Sequence, residues 1–389
     1  MAAFMTSNVE IRQIDLSKGK GLFATKDFKK GDVLFEERPI VSSQFLWNEF
    51  YNYTACEYCL KSLETAETQC QRLTENPSLS LPFPECCEAQ PAQYVMCPQC
   101  QVVYCCDGCR TAAWTEYHRT LCMGPSRHDG HHPLAQLGET WRNIHFPPET
   151  SSIMLLAKMI AIVKQSDDGI SKFSQFVNLP VNKEEEIAHK LLGEDFKQPL
   201  ELLRQMVTEC LFEETIQQWY TPEGFRSLFA LIGMNGQGIG SSAISVWVKN
   251  CEKLQLSDED KQRLDGLIDQ MYEDLDRVSG TFLNCEGSGL YRLQSACNHS
   301  CLPNAEITFP HNNHCLALVA TEDIQTEEEI CISYLNECNI GRSRHSRQKI
   351  LRENYLFHCG CTRCAAEADD EDVTSEEEEY DEEDEGMTE

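Results

Sequence analysis

The stretch CNHSCLPNA, Cys297 to Ala305, places two cysteines, a histidine and two asparagines around a single proline. Three kinds of chemistry use such residues: a Cys–His nucleophile site, a metal site, or a backbone loop that grips a ligand. As a nucleophile–base pair, either cysteine with His299 is poorly placed. The two would lie two residues apart in one short loop, whereas such partners normally meet through the fold. Farther along, Cys359-x-Cys361-x2-Cys364 supplies three thiolates. Zinc takes four ligands, so this triplet needs one from elsewhere, and Cys301 is a natural candidate.

Composition narrows the class. The chain has 389 residues and 41% apolar residues, an ordinary globular share and enough for two or three modest domains. The longest apolar run, Ile153 to Val163, is too short for a bilayer span and carries Lys158. The opening MAAFMTSNVEIRQID lacks a basic start followed by an apolar core, so no secretory signal is expected. In a reducing compartment, 22 cysteines argue for zinc rather than disulfides. The net charge of −30 speaks against nucleic acid as a direct partner. Residues 367–389 hold 15 Asp/Glu and no Lys or Arg, leaving about −15 for the rest of the chain (−30 minus −15). That segment reads as a disordered acidic tail, able to attract lysine-rich proteins such as histones and ribosomal proteins.

Residues 8–45 read as short strands and turns. Between Pro147 and Trp219 the pattern turns helical. Thr150, Ser151 and Ser152 offer caps for IMLLAKMIAIV, and Pro199 separates HKLLGEDF from LELLRQMVTECLF. Residues 257–280 form a further helix, with Ser257 and Asp260 at a capping-box start and Gly280 at its end. Short strands return from Gly287 to Leu335, with CLALVA and EEICISYL as interior segments. In LIGMNGQGIG the glycines read as marking a tight bend.

The first cysteine cluster has four ligand pairs: Cys56-x2-Cys59, Cys97-x2-Cys100, Cys105 with Cys109, and His118-x3-Cys122. Four pairs serve two tetrahedral zincs, and the H-x3-C step suits one face of a helix. Trp114 and Tyr117 could give this module a small core. The run resembles a MYND zinc finger, with a longer gap than usual between Cys59 and Cys97. The resemblance implies Cys56, Cys59, Cys105 and Cys109 on one zinc, and Cys97, Cys100, His118 and Cys122 on the other. Cys105 is preferred to Cys106 because it keeps the family's step to Cys109. Such fingers bind proline-containing peptides, which makes contact rather than chemistry the expected role.

The segments GKGLFATKDFKKGDVLF, NHSCLPNA, EEICISYL and ENYLFHCGCTRC, in that order, resemble a SET domain with its post-SET zinc. Split by the finger, the chain resembles the SET and MYND domain lysine methyltransferases from about Lys18 to Cys364. The fold implied is α+β: a mostly-β SET domain split by a MYND finger and a helical insert, then a post-SET zinc segment and the acidic tail. The corresponding ranges are 8–50 for the N-terminal part of the SET domain, 51–125 for the finger, 126–285 for the helical insert, 286–340 for the catalytic core, 341–366 for the post-SET segment and 367–389 for the tail.

The resemblance also implies roles. Lys18, Gly19, Lys20, Asn235, Asn298, His299, Tyr334 and Phe357 would bind S-adenosylmethionine. Tyr334 would be the catalytic tyrosine, and Tyr291, Tyr334 and Tyr355 would line the substrate channel. Cys301 would turn away from the cofactor and close a third zinc site with Cys359, Cys361 and Cys364. The expected activity is protein-lysine N-methylation of basic proteins, histone or non-histone. The alternative is a catalytically weak scaffold that binds partner peptides through the finger. RSRHSRQK, Arg342 to Lys349, is too mixed to read as a nuclear signal, so cytoplasm, nucleus or both are expected.

Overall fold

The computed structural model describes residues 8–15, 18–144, 152–179, 192–193, 195–280 and 284–370. The residues from 371 onward in the expected tail and half of HKLLGEDF lie outside them. The chain folds as α+β. Its strands are β1 (Val9–Asp15), β2 (Gly19–Ala24), β3 (Val33–Glu37), β4 (Val41–Gln44), β5 (Val95–Met96), β6 (Val103–Tyr104), β7 (Gly236–Ser241), β8 (Cys285–Leu290), β9 (Asn298–His299), β10 (Ala305–Thr308), β11 (Leu316–Ala320) and β12 (Glu329–Ile332). Three small sheets run β1-β2-β12-β9, β10-β11-β3 and β4-β8-β7, and β5-β6 forms a ribbon in the finger. The first sheet threads the CNHSC loop into the fold. β12 lies antiparallel to β2 and parallel to β9, with Cys331 opposite Asn298 and Ile332 opposite His299. Alternating apolar residues drive this: Leu22, Ala24, Ile330 and Ile332 are buried with Val9, Phe28, Leu34 and Leu318 in one core.

The glycines of LIGMNGQGIG do not sit in one tight bend. Gly233 lies in the helix Pro222–Asn235, and Gly236, Gly238 and Gly240 belong to β7, which pairs along the whole of β8, Gly236 opposite Leu290 through Ser241 opposite Cys285. Glycine is depleted in strands, which hides this one from a sequence reading. On the neighbouring strand glycine is required by space. A Cβ on Gly287 would sit 2.4 Å from both Leu60 Cδ2 and the Ser43 carbonyl oxygen.

Ser152 caps Ile153–Gln165, accepting from the Met154 N–H. This helix is buried on nearly all sides. Its Lys158 is 2% exposed and reaches the Glu57 carboxylate at 2.7 Å, the carbonyls of Ser42 and Glu57 at 3.2 Å each, and the Tyr117 ring at 4.5 Å. The finger and the first strands are thereby fastened to one helix. Ser257 caps Asp258–Ser279 as the sequence suggests, and Gly280 ends it at φ +58°. Pro199 does not separate two helices. It is the third residue of Lys197–Leu211, where its missing N–H would have had no intrahelical partner.

The long gap between Cys59 and Cys97 acquires a structural role. Its helix Ala66–Leu73 packs on Ala243–Cys251 and Asp258–Ser279 in a separate apolar core. The Gln69 side-chain oxygen accepts the N–H groups of Ala243 and Ile244, and Trp247 Nε1 donates to the carbonyls of Pro82 and Phe83. The insertion therefore braces the finger against the helical region.

Glu37, at the end of β3, positions the approach to the CNHSC loop. Its carboxylate accepts from the backbone N–H groups of Arg292, Leu293 and Gln294, at 2.7 to 3.1 Å. Burial pushes this carboxyl above its ordinary value, and the three N–H donors oppose that shift. Glu37→Ala leaves those donors without their acceptor in a buried turn. Unfolding by urea is expected to show a loss of about 3 kcal/mol, with Glu37→Gln intermediate; equal midpoints for all three proteins would contradict this role.

Candidate active site and metal centres

Three ligand groups converge. Within each of them the ligand atoms lie within 4.8 Å of one another: Cys56, Cys59, Cys105 and Cys109; Cys97, Cys100, His118 and Cys122; and Cys301, Cys359, Cys361 and Cys364. Cys106 stands outside these groups, although its sulfur is 3.9 Å from that of Cys105. The helix Asp107–Ala113 continues through a π turn, Trp114–His118, which sets His118 against Cys100 Sγ at 3.4 Å. Tyr117 is buried with its hydroxyl on the Glu57 carbonyl, whereas Trp114 keeps its ring at the surface. The donor sets suit zinc: four thiolates, three thiolates with an imidazole, and four thiolates again. The thiols of Cys105, Cys109 and Cys59 hold Cys56 far below the ordinary thiol value, and burial keeps His118 below its ordinary value, in the neutral form that a ligand needs. A fourth group, Glu36, His311 and Cys315, meets the same distance test, but Glu36 and His311 are exposed.

The CNHSC loop serves the third group and a neighbouring aromatic cluster together. The backbone N–H of Tyr334 donates to His299 Nδ1 at 3.0 Å. The ring proton is thus on Nε2, which faces Cys301 Sγ at 3.3 Å. His299 is a bridge between a sulfur of the third group and the Tyr334 backbone. Asn304 locks the same region: its amide donates to the Glu329 carbonyl and its oxygen accepts from Cys331 N–H, at 2.9 and 2.8 Å.

The Tyr334 ring lies 4.8 Å from that of Tyr355, 6.1 Å from Phe357 and 5.5 Å from His299. Its hydroxyl donates to the Cys297 carbonyl at 2.7 Å, and the Tyr355 hydroxyl donates to the Tyr334 carbonyl at 3.3 Å. Burial raises both phenols above their ordinary value, so they stay protonated. It also raises the Cys297 thiol well above its ordinary value. That cysteine is no thiolate nucleophile. Tyr291 stands apart from this ring group: it is fully buried in the strand core, with its hydroxyl on the His314 carbonyl at 2.6 Å.

Lys18 precedes β2, which Gly19 and Lys20 open, with Gly19 at φ +70°. Asn298 Nδ2 donates to the Lys20 carbonyl and to Glu329 Oε1, at 2.9 and 2.8 Å, while Lys18 Nζ reaches Glu329 at 3.4 Å. Lys20 Nζ donates to the Gln175 carbonyl at 3.0 Å, and Asn235 Nδ2 to the Val177 carbonyl at 2.8 Å. One short segment therefore joins Lys20 to Asn235. In it the Gln175 Nε2 amide is buried without an acceptor among the described residues, which costs free energy unless a ligand supplies one. Nothing in the sequence around Gln175 signals this.

The SET domain family model matches residues 19–335. The chain is 60% identical over 373 residues to the Protein-lysine N-trimethyltransferase SMYD5 of Gallus gallus, covering 95% of this chain and 89% of that protein. It is 58% identical over 373 residues to the SMYD5 of Homo sapiens, with 95% and 89% covered. The Histone-lysine N-methyltransferase SMYD3 of Mus musculus is 23% identical over 362 residues, with 92% and 61% covered. The chain therefore belongs to the SET and MYND domain methyltransferase family, and its similarity to SET and MYND domain-containing protein 5 agrees with the motif reading.

Proposed function

We propose that this chain transfers methyl groups from S-adenosylmethionine to lysine side chains of basic proteins. The observation that carries the reading is the juxtaposition of the Lys20–Asn298–Asn235 group with the Tyr334–Tyr355–Phe357 cluster across a single loop. The orphaned Gln175 amide supports it: a ligand with a carboxylate, such as the amino-acid end of S-adenosylmethionine, supplies the missing acceptor. Gln175→Ala is expected to weaken cofactor binding about ten-fold by calorimetry, with little change in the substrate KM; an unchanged Kd would remove Gln175 from the site.

The bound cofactor supplies an electrophilic methyl on a sulfonium. The chain's residues prepare the amine. A free lysine has a pKa of ~10.4 and is mostly charged, and only the neutral amine attacks. A channel walled by Tyr334, Tyr355 and Phe357 removes water and favours the neutral form. The lysine ammonium would give up one proton to solvent before it is walled in, and the neutral amine would then be held in line for the cofactor's methyl by Tyr334, Tyr355 and Phe357. Tyr334 has its own proton committed to the Cys297 carbonyl, so its oxygen faces the reactants as an acceptor that orients the amine. The same rings can hold a methylated ammonium by cation–π attraction.

Three zincs complete the reading, two in the finger and one at Cys301, Cys359, Cys361 and Cys364. The finger is a docking module for proline-containing peptides, and histones or ribosomal proteins are the basic substrates, met in cytoplasm, nucleus or both. The test is transfer of labelled methyl from S-adenosylmethionine into a cell extract enriched in those proteins. Label on a discrete basic protein supports the enzyme. Absence of both label and cofactor binding favours a scaffold working through its finger.

The acidic segment bears on encounter with such substrates. Removing residues 371–389 is expected to raise KM for a lysine-rich substrate several-fold at low salt and to leave kcat unchanged. The difference should vanish near ~0.5 M salt, where screening is strong. A salt-independent change in kcat would contradict a steering role.

A further inference from the structure

The stretch RSRHSRQK holds three arginines and a lysine, yet the helix it begins, Arg344–Tyr355, turns part of that basic face inward. Arg344, Arg347, Gln348 and Leu351 follow i, i+3, i+4, i+7 and share one side. Arg344 Nε donates to the Cys364 carbonyl at 2.9 Å. Gln348 donates to the Cys359 carbonyl at 2.6 Å and accepts from the Cys359 N–H at 2.8 Å. Arg347 is 0% exposed. Its Nε lies 3.3 Å from Cys301 Sγ, its Nη2 lies 3.7 Å from Cys364 Sγ and 2.6 Å from Glu367 Oε2, and its Nη1 donates to the Arg342 carbonyl at 2.6 Å. A wholly buried guanidinium is costly without compensating negative charge. Here that charge comes from Glu367 and from the sulfurs.

We propose that Arg347 is a positioning residue of the C-terminal metal centre. Its planar fork offsets the charge of the four-sulfur site and ties Cys301 and Cys364 to Glu367, so that this segment stays seated beside Tyr334, Tyr355 and Phe357. Four thiolates around a dication leave roughly two excess negative charges. One buried guanidinium removes half of that, and its donors reach two of the four sulfurs. Cys301 receives a second donor from His299 Nε2, so the same sulfur is held from both the metal side and the Tyr334 side. Glu367 is fixed in turn by Arg363 Nε at 2.8 Å.

The inference rests on the zinc reading above, and its test separates the two. Full-length wild type, Arg347→Lys, Arg347→Met and Glu367→Gln would be compared by metal analysis and by the rate of zinc transfer to a chromogenic chelator. Wild type should hold three zincs and give up one class slowly. Arg347→Met should lose one zinc per chain about ten-fold faster or more, leaving the two finger zincs at their wild-type rates. Arg347→Lys, which restores charge without the fork, should recover part of the retention. Glu367→Gln lies at the partly exposed end and keeps the test open if Arg347→Met fails to fold; it should speed release of the same single zinc. Unchanged release in the folded variants overturns the role of Arg347. A wild type with zinc in the finger alone overturns the metal reading beneath it.

Discussion

Tyr334→Phe is expected to lower kcat for lysine methylation about 100-fold or more while leaving cofactor affinity and folding near wild type. The ring stays, so the packing on Tyr355, Phe357 and His299 is kept. What goes is a single oxygen, together with its 2.7 Å contact to the Cys297 carbonyl. That contact fixes where the oxygen sits relative to the loop that also carries Asn298 and His299. Losing it leaves the amine unoriented, and small misplacements at a transfer site carry rate penalties of about that size. The hydroxyl is partly buried and makes one hydrogen bond, so the stability change should stay near 1 kcal/mol. Steady-state kinetics with labelled S-adenosylmethionine and calorimetry on the same preparation check both halves. A loss confined to KM, or a matching loss of cofactor binding, would show that Tyr334 serves binding rather than the transfer step.

Cys301→Ser should have a wider effect: one zinc lost per chain, the finger zincs retained, and methylation reduced to near background. Cys301 belongs to the four-sulfur group and also faces His299 Nε2, whose other ring nitrogen accepts the Tyr334 N–H. Removing the sulfur therefore releases Cys359, Cys361 and Cys364 and deprives the His299 Nε2–H of the sulfur it faces. The segment carrying Tyr355 and Phe357 loses its anchor at the same time. Metal analysis gives the stoichiometry, and proteolysis should open the chain near residues 356–366. An unchanged zinc count would break this division of ligands. Equal loss from the finger would mean that the two regions fold as one metal-dependent unit.

Much of this was legible before folding. Ligand pairs at two- and three-residue steps announce zinc because one turn must aim both side chains at one ion. Ser152 and Ser257 announce helix starts because their hydroxyls satisfy first-turn N–H groups locally. The alternation in EEICISYL fits a strand with one buried face. Such signals survive in sequence because their partners are a few residues away.

The misreadings share the opposite property. The glycine strand β7 is stabilised by pairing with β8 across the chain, not by its own propensity. Pro199 is tolerated because of where the helix starts, which its neighbours do not fix. Tyr291, which reads equally as a channel wall or a core ring, is of another kind: its surroundings in the strand core come only from packing.

By itself the sequence determined the family and which cysteines and histidine fall into groups of ligand spacing, since each is written as residue types at short spacing. Tertiary structure alone decided that the Cys59–Cys97 insertion is a brace, that His299 bridges a sulfur to Tyr334, that Gln175 presents an unanswered amide and that Arg347 lies under the C-terminal cysteines. These depend on groups distant along the chain, such as Cys301 and Cys359, 58 residues apart. The energy of such a contact comes from burial and from hydrogen bonds that exist only after the intervening chain has folded, so no local pattern encodes it.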